Sequence, residues 1–182
     1  MWKAIALSLL MLMATPLAAA DAAAPSGPVE LVQETATDLS ATSDGRVAEI
    51  VLRHVDERAV ARFTLGRHAN QLTADQVQAY EDAFGAFLRR QVQRHSDQIA
   101  GVRIEVERTD QRSARDAIVT TRVYQDDVSQ VLRWRVIERR GQWSVVDLEF
   151  AGIWLAIEQR AQIGALLDRP GTTIDDVIAQ LG

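Results

Sequence analysis

Residues 142–167 change hydrophobic period in the middle, and this feature constrains the fold more than any other in the chain. Before Gly152 the apolar residues Val146, Leu148 and Phe150 alternate, which is typical of a strand with one buried face. After Gly152 the apolar residues recur at helical spacing, at Ile153, Ala156, Ile157, Ile163, Leu166 and Leu167. Glycine supplies the backbone freedom that a sharp corner requires. We therefore predict a strand that runs directly into a helix folding back over or beside the sheet, and we interpret the junction as the seam of a cavity.

Four strand-like segments lie close together in the second half of the chain, at residues 102–108, 116–124, 130–138 and 142–150. Their connections are short and polar, which predicts an antiparallel meander. Alternation assigns one apolar face to the sheet, formed by Val102, Ile104, Val106, Val119, Thr121, Val123, Leu132, Trp134, Val136, Val146, Leu148 and Phe150. The opposite face is largely charged, and it includes Asp147 and Glu149, which we expect on the solvent side.

Helical patterns precede and follow the strands, at residues 29–39, 46–52, 56–65, 73–97, the segment after Gly152, and 172–181. Thr73 and Gln76 have the spacing of a capping box. The longest helix carries an apolar stripe that consists of Val77, Tyr80, Ala83, Phe84, Phe87, Leu88 and Val92. A sheet with one apolar face needs a cover, so we predict an α+β fold in which helices cover a four-stranded antiparallel sheet.

The N-terminus has the organisation of a secretory signal peptide, with Lys3 before an apolar core and small residues at 18–20. We predict cleavage after about Ala20, a flexible leader at residues 21–28 and a single domain at residues 29–182. Cysteine is absent, so the chain has no disulfide, thiolate nucleophile or cysteine metal site.

Composition and motifs argue against several classes of function. The formal net charge of −5 argues against nucleic-acid binding, since such proteins usually carry a basic face. His54, His68 and His95 are scattered and lack metal-ligand spacing. The chain contains no nucleophile elbow, phosphate-binding loop, dinucleotide fingerprint or zinc-protease motif. We therefore expect neither catalytic residues nor a metal or cofactor.

The order of elements, together with three stretches, resembles the MlaC family, also called the toluene-tolerance family. The first stretch covers residues 50–68 and includes the run LGRH; the second begins at Thr73 and carries Tyr80, Phe84 and Leu88; the third combines WSVVD at residues 143–147 with GIWL and RAQ further on. The resemblance implies a curved, cone-like sheet whose helices surround a deep apolar pocket. It also implies a periplasmic phospholipid carrier that works between an outer-membrane lipoprotein complex and an inner-membrane ABC transporter and so maintains outer-membrane lipid asymmetry.

On this basis we predict that the pocket for the acyl chains is lined by Tyr80, Phe84, Phe87, Leu88, Val123, Leu132, Trp134, Val136, Val146, Leu148, Phe150, Ile153, Trp154 and Ile157. Arg160 and Arg67 are predicted to contact the headgroup or to form structural ion pairs. The same apolar residues could instead fill an ordinary core, and Trp154 could narrow a pocket.

Two other classes of protein remain open at this point. A small enzyme with a cone-like sheet, of the ketosteroid-isomerase kind, would need a buried acid beside a tyrosine or a second acid. An interaction module with a filled core would need no pocket at all.

Overall fold

The structure, a computed structural model, describes residues 25–42, 45–125 and 127–182. The predicted signal peptide (residues 1–20) and the first half of the predicted leader lie outside the described residues. The helices are α1 (Pro28–Ser40), α2 (Val47–Arg53), α3 (Glu57–Leu65), α4 (Ala74–Arg94), α5 (Ser96–Ile99), α6 (Leu155–Leu167) and α7 (Ile174–Leu181), with a short 3-10 helix at Gly66–Gln71.

Side-chain caps begin three of these helices and explain where they start. Asp56 Oδ1 accepts a hydrogen bond of 3.0 Å from Ala59 N at the start of α3. Thr73 and Thr173 each form a capping box, at the starts of α4 and α7. The predicted capping box at Thr73 is therefore confirmed.

The predicted helix at residues 73–97 is divided in two. Its first part, α4, ends at Arg94, and His95 leaves helical geometry with φ −111° and ψ 12° before α5 begins. The break lets Ile99 pack beside a small core that contains Leu39 and Ile50. The helical pattern did not reveal this packing because it depends on contacts distant in sequence.

The sheet has five strands, not four. They are β1 (Arg103–Ser113), β2 (Asp116–Gln125), β3 (Val128–Arg139), β4 (Gln142–Phe150) and β5 (Ile153–Trp154), in the order β1-β2-β3-β4-β5, and each pairs antiparallel with the next. Ala151 and Gly152 both adopt positive φ, at 51° and 83°, and the chain then pairs back against β4 for two residues. A strand this short has no period to detect, so the sequence pattern missed it.

A bulge in β4 shifts the predicted alternation. Arg135 pairs with Asp147 and Val136 pairs with Val145, so Val146 has no partner across the ladder. Consequently Val145, not Val146, joins the buried residues of the sheet. A bulge adds one residue to one strand and moves the following side chains to the other face.

Helices cover the sheet and flank its β4 side. Helix α1 lies on the apolar face, where Leu31 and Val32 are fully buried against the strands. Helices α3, α4, α6 and α7 form a second core of their own. The segment around Val55 joins the two regions, because it pairs with Val145 of β4 and packs in both cores.

Candidate functional site

Most of the predicted lining residues fall into three groups. Leu132, Trp134, Val136 and Leu148 lie in the core between the sheet and α1, which we call the sheet core. Tyr80, Phe84, Phe87 and Leu88 lie in the core of α3, α4, α6 and α7, which we call the helical core. Phe150, Ile153 and Ile157 are exposed. The apolar stripe of α4 therefore packs against other helices. Helix α1, not α4, lies on the apolar face of the sheet.

The sheet core is closely packed around Trp134, which is 3% exposed. Its indole Nε1 donates a hydrogen bond of 2.9 Å to Thr121 Oγ1, so the one polar atom of the ring is satisfied. Leu31 and Val32 of α1 cover this face. Trp134 thus acts as a core residue in this arrangement, and any chain entering along the sheet must displace part of α1.

The helical core is organised around three aromatic rings of α4. The centroids of Tyr80 and Phe84 are 5.9 Å apart, and those of Phe84 and Phe87 are also 5.9 Å apart. The Tyr80 hydroxyl lies 2.7 Å from Thr64 Oγ1, which itself donates to the Ala61 carbonyl. Burial raises the pKa of Tyr80 to about 12, against a smaller opposing effect of the Thr64 hydrogen bond.

Four large apolar side chains are exposed within eight residues at the junction of β4, β5 and α6. They are Phe150 (45% exposed), Ile153 (52%), Leu155 (46%) and Ile157 (51%), and we call them the apolar strip. Exposed apolar side chains that adjoin one another mark binding sites, and Phe150 and Ile153 are direct neighbours across the ladder. Leu155 was not predicted, because it falls outside the helical face that the spacing selects; its closeness in sequence to the other three was the available signal.

The apolar strip is continuous with the sheet core. Phe150 pairs with Leu132 on β3 and with Ile153 on β5, and Leu132 packs against the sheet core. A row of apolar side chains therefore leads from the surface at β5 inward across the sheet. This is the junction that the sequence pattern marked as the seam of a cavity.

Asp147 is buried, at 8% exposure, which corrects the prediction that it lies on the solvent side. Its Oδ1 accepts hydrogen bonds of 2.8 Å from the backbone N–H groups of Leu148 and Ala156, the second of which is in the first turn of α6. Burial raises the pKa of Asp147, while these hydrogen bonds and the nearby charge of Arg135 oppose the rise. The carboxylate caps α6 from a neighbouring strand and so holds the junction together.

The remaining predicted lining residues lie at the margins of the sheet. Val123, Val146 and Trp154 are each half-buried. The Trp154 ring has the Arg133 guanidinium 5.4 Å from its centroid, and Arg133 also pairs with Glu149 at 2.6 Å. Trp154 therefore lies toward the charged face of the sheet, where it pairs with Glu149 in the ladder.

The two predicted headgroup residues have different surroundings. Arg67 Nη2 donates to Asp168 Oδ1 at 2.6 Å, which is an ion pair. The Arg160 guanidinium lies 4.9 Å from the centroid of the Phe63 ring. The structure thus brings Arg160, but not Arg67, onto an aromatic surface.

Two surface clefts in the described part of the chain have other linings than the predicted residues. One of about 340 Å³ lies at residues 100–103 and 124–125. The other, of about 510 Å³, lies between α3 and α4 and is lined largely by charged side chains that include Glu57, Arg58, Glu81 and Arg89. Neither cleft therefore leads to the residues predicted to contact acyl chains.

The two tyrosines have structural partners. Tyr80 contacts Thr64, and the Arg103 guanidinium lies 3.7 Å from the centroid of the Tyr124 ring. The buried Glu81 carboxylate pairs with Arg62.

No cluster of three or more potential metal ligands occurs within the described ranges. In the same ranges no helix has the length and apolarity to cross a membrane.

Comparisons with known proteins agree with this architecture. The profile of the MlaC protein family matches residues 30–182. The chain is also similar to the solved structure of a phospholipid-binding protein from Ralstonia solanacearum in complex with a phospholipid, with a TM-score of 0.70 and 19% sequence identity over 87% of this chain and 95% of that one. No curated protein matches the chain.

Proposed function

Because the chain belongs to the MlaC family, we propose that it is a soluble periplasmic carrier of phospholipid. In this proposal it binds acyl chains and shuttles the lipid between an outer-membrane lipoprotein complex and an inner-membrane ABC transporter, which maintains the lipid asymmetry of the outer membrane. The observation that carries the proposal is the apolar strip and its continuity with the sheet core.

The energetics of lipid transfer make such an apolar surface necessary. Moving a methylene group from an apolar site into water costs about 0.8 kcal/mol. A chain of about sixteen carbons therefore costs on the order of 13 kcal/mol to expose. A carrier needs no chemistry for this task, only an apolar enclosure that can open.

We infer that acyl chains enter at the apolar strip and advance over Leu132 toward Trp134. Leu31 and Val32 now occupy that part of the sheet, so entry requires the N-terminal half of α1 to move away. The C-terminal end of α1 has polar anchors, since Ser40 Oγ donates to the Val102 carbonyl at 2.9 Å and Gly101 N donates to the Leu39 carbonyl at 3.0 Å. The N-terminal half of α1 can therefore move away from the sheet while its C-terminal end stays anchored.

The arginines of β3 give little support to charge-driven docking on partners. Arg133, Arg135 and Arg139 pair with Glu149, Asp116 and Asp56. We propose instead that the apolar strip meets the two transporter complexes, because the lipid must leave through the surface by which it entered.

Mass spectrometry of organic extracts, combined with uptake from donor vesicles, tests the proposal. Protein purified from the periplasm is expected to carry phospholipid. A triple variant, Phe150→Ser, Ile153→Ser and Ile157→Ser, is expected to lose most of its uptake with only a small fall in melting temperature, since about half of each side chain is already exposed. Val128→Ser is the matched control, because Val128 is 59% exposed but lies at the start of β3.

One observation favours a second candidate, an interaction module with a filled core. Trp134 and Phe84 are both buried in packed clusters. The same experiment separates the two candidates: a protein that is lipid-free after purification and takes up no lipid from vesicles is an interaction module.

A further inference from the structure

The Arg160 guanidinium is held in place without a carboxylate. Its Cζ lies over the Phe63 ring, 4.9 Å from the ring centroid. Gly66 packs closely against the guanidinium, because a Cβ added there would lie 3.0 Å from Nε and 3.1 Å from Nη2 of Arg160. Gly66 also has φ +55° and ends α3 by donating its N–H to the Phe63 carbonyl. The turn that ends α3 thus packs against the guanidinium and fixes its position.

This arrangement leaves the charge of Arg160 uncompensated. Within the described part of the chain, no carboxylate lies within 4.0 Å of it. The neighbouring Arg62 and Arg67, by contrast, pair with Glu81 and Asp168. Stacking uses the flat faces of a guanidinium and leaves the N–H donors at its edge available for an anion.

Arg160 also lies beside the apolar strip. Ile157, which is half exposed, precedes Arg160 by three residues on α6, so the two side chains are neighbours on the helix surface. Phe63 is itself 37% exposed. A positively charged donor next to exposed apolar side chains suits a ligand with an anionic head and apolar tails.

We propose that Arg160 binds a phosphate group, and that Phe63 and Gly66 are positioning residues that hold its guanidinium. This deepens the proposed function and rests on it for the source of the phosphate, which is the headgroup of the lipid whose tails lie on the apolar strip. Free phosphate has the same chemistry, and the experiment distinguishes the two sources.

The first measurement compares uptake of a phosphatidylglycerol with uptake of the diacylglycerol that has the same acyl chains. Arg160→Ala is expected to weaken phosphatidylglycerol binding roughly ten- to a hundredfold, the range for hydrogen bonds to charged groups, and to leave diacylglycerol binding unchanged. Arg160→Lys keeps the charge but loses the planar fork, so a smaller loss is expected. Phe63→Leu is expected to cause a selective loss for the phospholipid while circular dichroism stays native. Arg112→Ala removes the same charge from exposed β1 and serves as the control.

Equal losses for both lipids, or no difference between Arg160→Ala and Arg112→Ala, would overturn the assignment to the headgroup. The second measurement follows the Arg160 Nε–H resonance by NMR during titration with inorganic phosphate. A shift that Phe63→Leu weakens supports the anion site; a shift without any headgroup effect on uptake assigns the site to free phosphate, and no shift together with no headgroup effect overturns the proposal.

The two proposals fail in different ways. If wild-type protein takes up neither lipid, the carrier function is wrong, and the phosphate titration alone decides whether Arg160 is an anion site. If wild-type protein takes up both lipids equally and Arg160→Ala changes nothing, the carrier function stands and the role of Arg160 is wrong.

Discussion

Two buried ionisable side chains, Tyr80 and Asp147, illustrate how the fold stabilises its interior polar groups. Each makes hydrogen bonds to a neighbouring element: Tyr80 of α4 to Thr64 of α3, and Asp147 of β4 to the backbone of α6. In both, burial raises the pKa because it disfavours the charged form. Their contributions to stability should therefore depend on pH in a predictable direction.

Tyr80→Phe is expected to destabilise the protein by about 1 kcal/mol at pH 7, the usual net value of one hydrogen bond. The folded phenol has a pKa of about 12, above the value of about 10 in an unfolded chain. The unfolded state therefore loses its proton first, and wild-type stability from this group falls as pH rises from 10 toward 12. Urea unfolding at pH 7, 9 and 11 should show the difference between wild type and variant shrinking at high pH. A constant difference across this range would contradict the assignment.

Asp147→Asn is expected to lie within about 1 kcal/mol of wild type at pH 7, because the amide oxygen can still accept from α6. The raised pKa means that the folded state binds a proton more tightly than the unfolded state. Stability from Asp147 is thus present at low pH and is lost as pH rises through its folded pKa. Unfolding measurements between pH 4 and 7 should show that the free energy of unfolding of wild type increases relative to that of the variant as pH falls. The opposite slope would mean that the hydrogen bonds to α6 outweigh the effect of burial.

Among the secondary-structure elements, α1 decides whether the sheet is accessible. Its N-terminal half is held on the sheet by Leu31 and Val32, and its C-terminal end by hydrogen bonds. Burying each of these two side chains contributes about 1.5–3 kcal/mol, so lifting them costs about 3–6 kcal/mol. At about 0.8 kcal/mol per methylene, roughly four to eight methylenes of an acyl chain offset this cost.

A crosslink between α1 and His54, the residue that follows α2, is therefore expected to block lipid uptake. The chain has no cysteine, so Glu34→Cys and His54→Cys introduce a single pair, at positions whose side chains approach to 3.6 Å. A short bifunctional maleimide should reduce vesicle uptake at least tenfold. The same variant treated with a monofunctional maleimide is the control, and equal uptake by both would show that α1 stays in place during binding.

In the whole molecule, the sheet core and the helical core are expected to unfold together. Val55 packs in both, Val145 N donates to the His54 carbonyl, and Asp56 N donates to the Val145 carbonyl. The chain also passes directly from β4 through β5 into α6. The two cores therefore share backbone hydrogen bonds as well as side-chain contacts.

Phe84→Ala tests this coupling, because it creates a cavity in the helical core and is expected to cost about 3–5 kcal/mol. Three of the four tryptophans, Trp134, Trp143 and Trp154, lie in the sheet. Trp2 belongs to the predicted signal peptide, so the fluorescence of protein without that peptide reports on the sheet. The fluorescence and far-ultraviolet circular dichroism transitions in urea should coincide and shift together. Val128→Ala is the exposed control. A fluorescence transition left unchanged by Phe84→Ala would show that the two cores are independent.

Local patterns in the chain were sufficient to identify the α+β class, the antiparallel order of the main strands, the capping box at Thr73 and the strand-to-helix junction at Gly152. Such signals act over a few residues, through backbone preference, capping and hydrophobic period. The family resemblance was also confirmed. The predicted signal peptide and its cleavage site stay predictions.

Tertiary contacts decided the rest. The bulge at Val146, the two-residue strand β5, the burial of Asp147 beneath α6 and the covering of the sheet by α1 all depend on which elements pair and pack in the folded chain. A hydrophobic period shows that a face is buried, but it does not show which apolar face it meets. For that reason the predicted lining residues are mostly apolar side chains of helices and strands that the structure contains. Their division between two packed cores and one exposed strip depends on the tertiary structure.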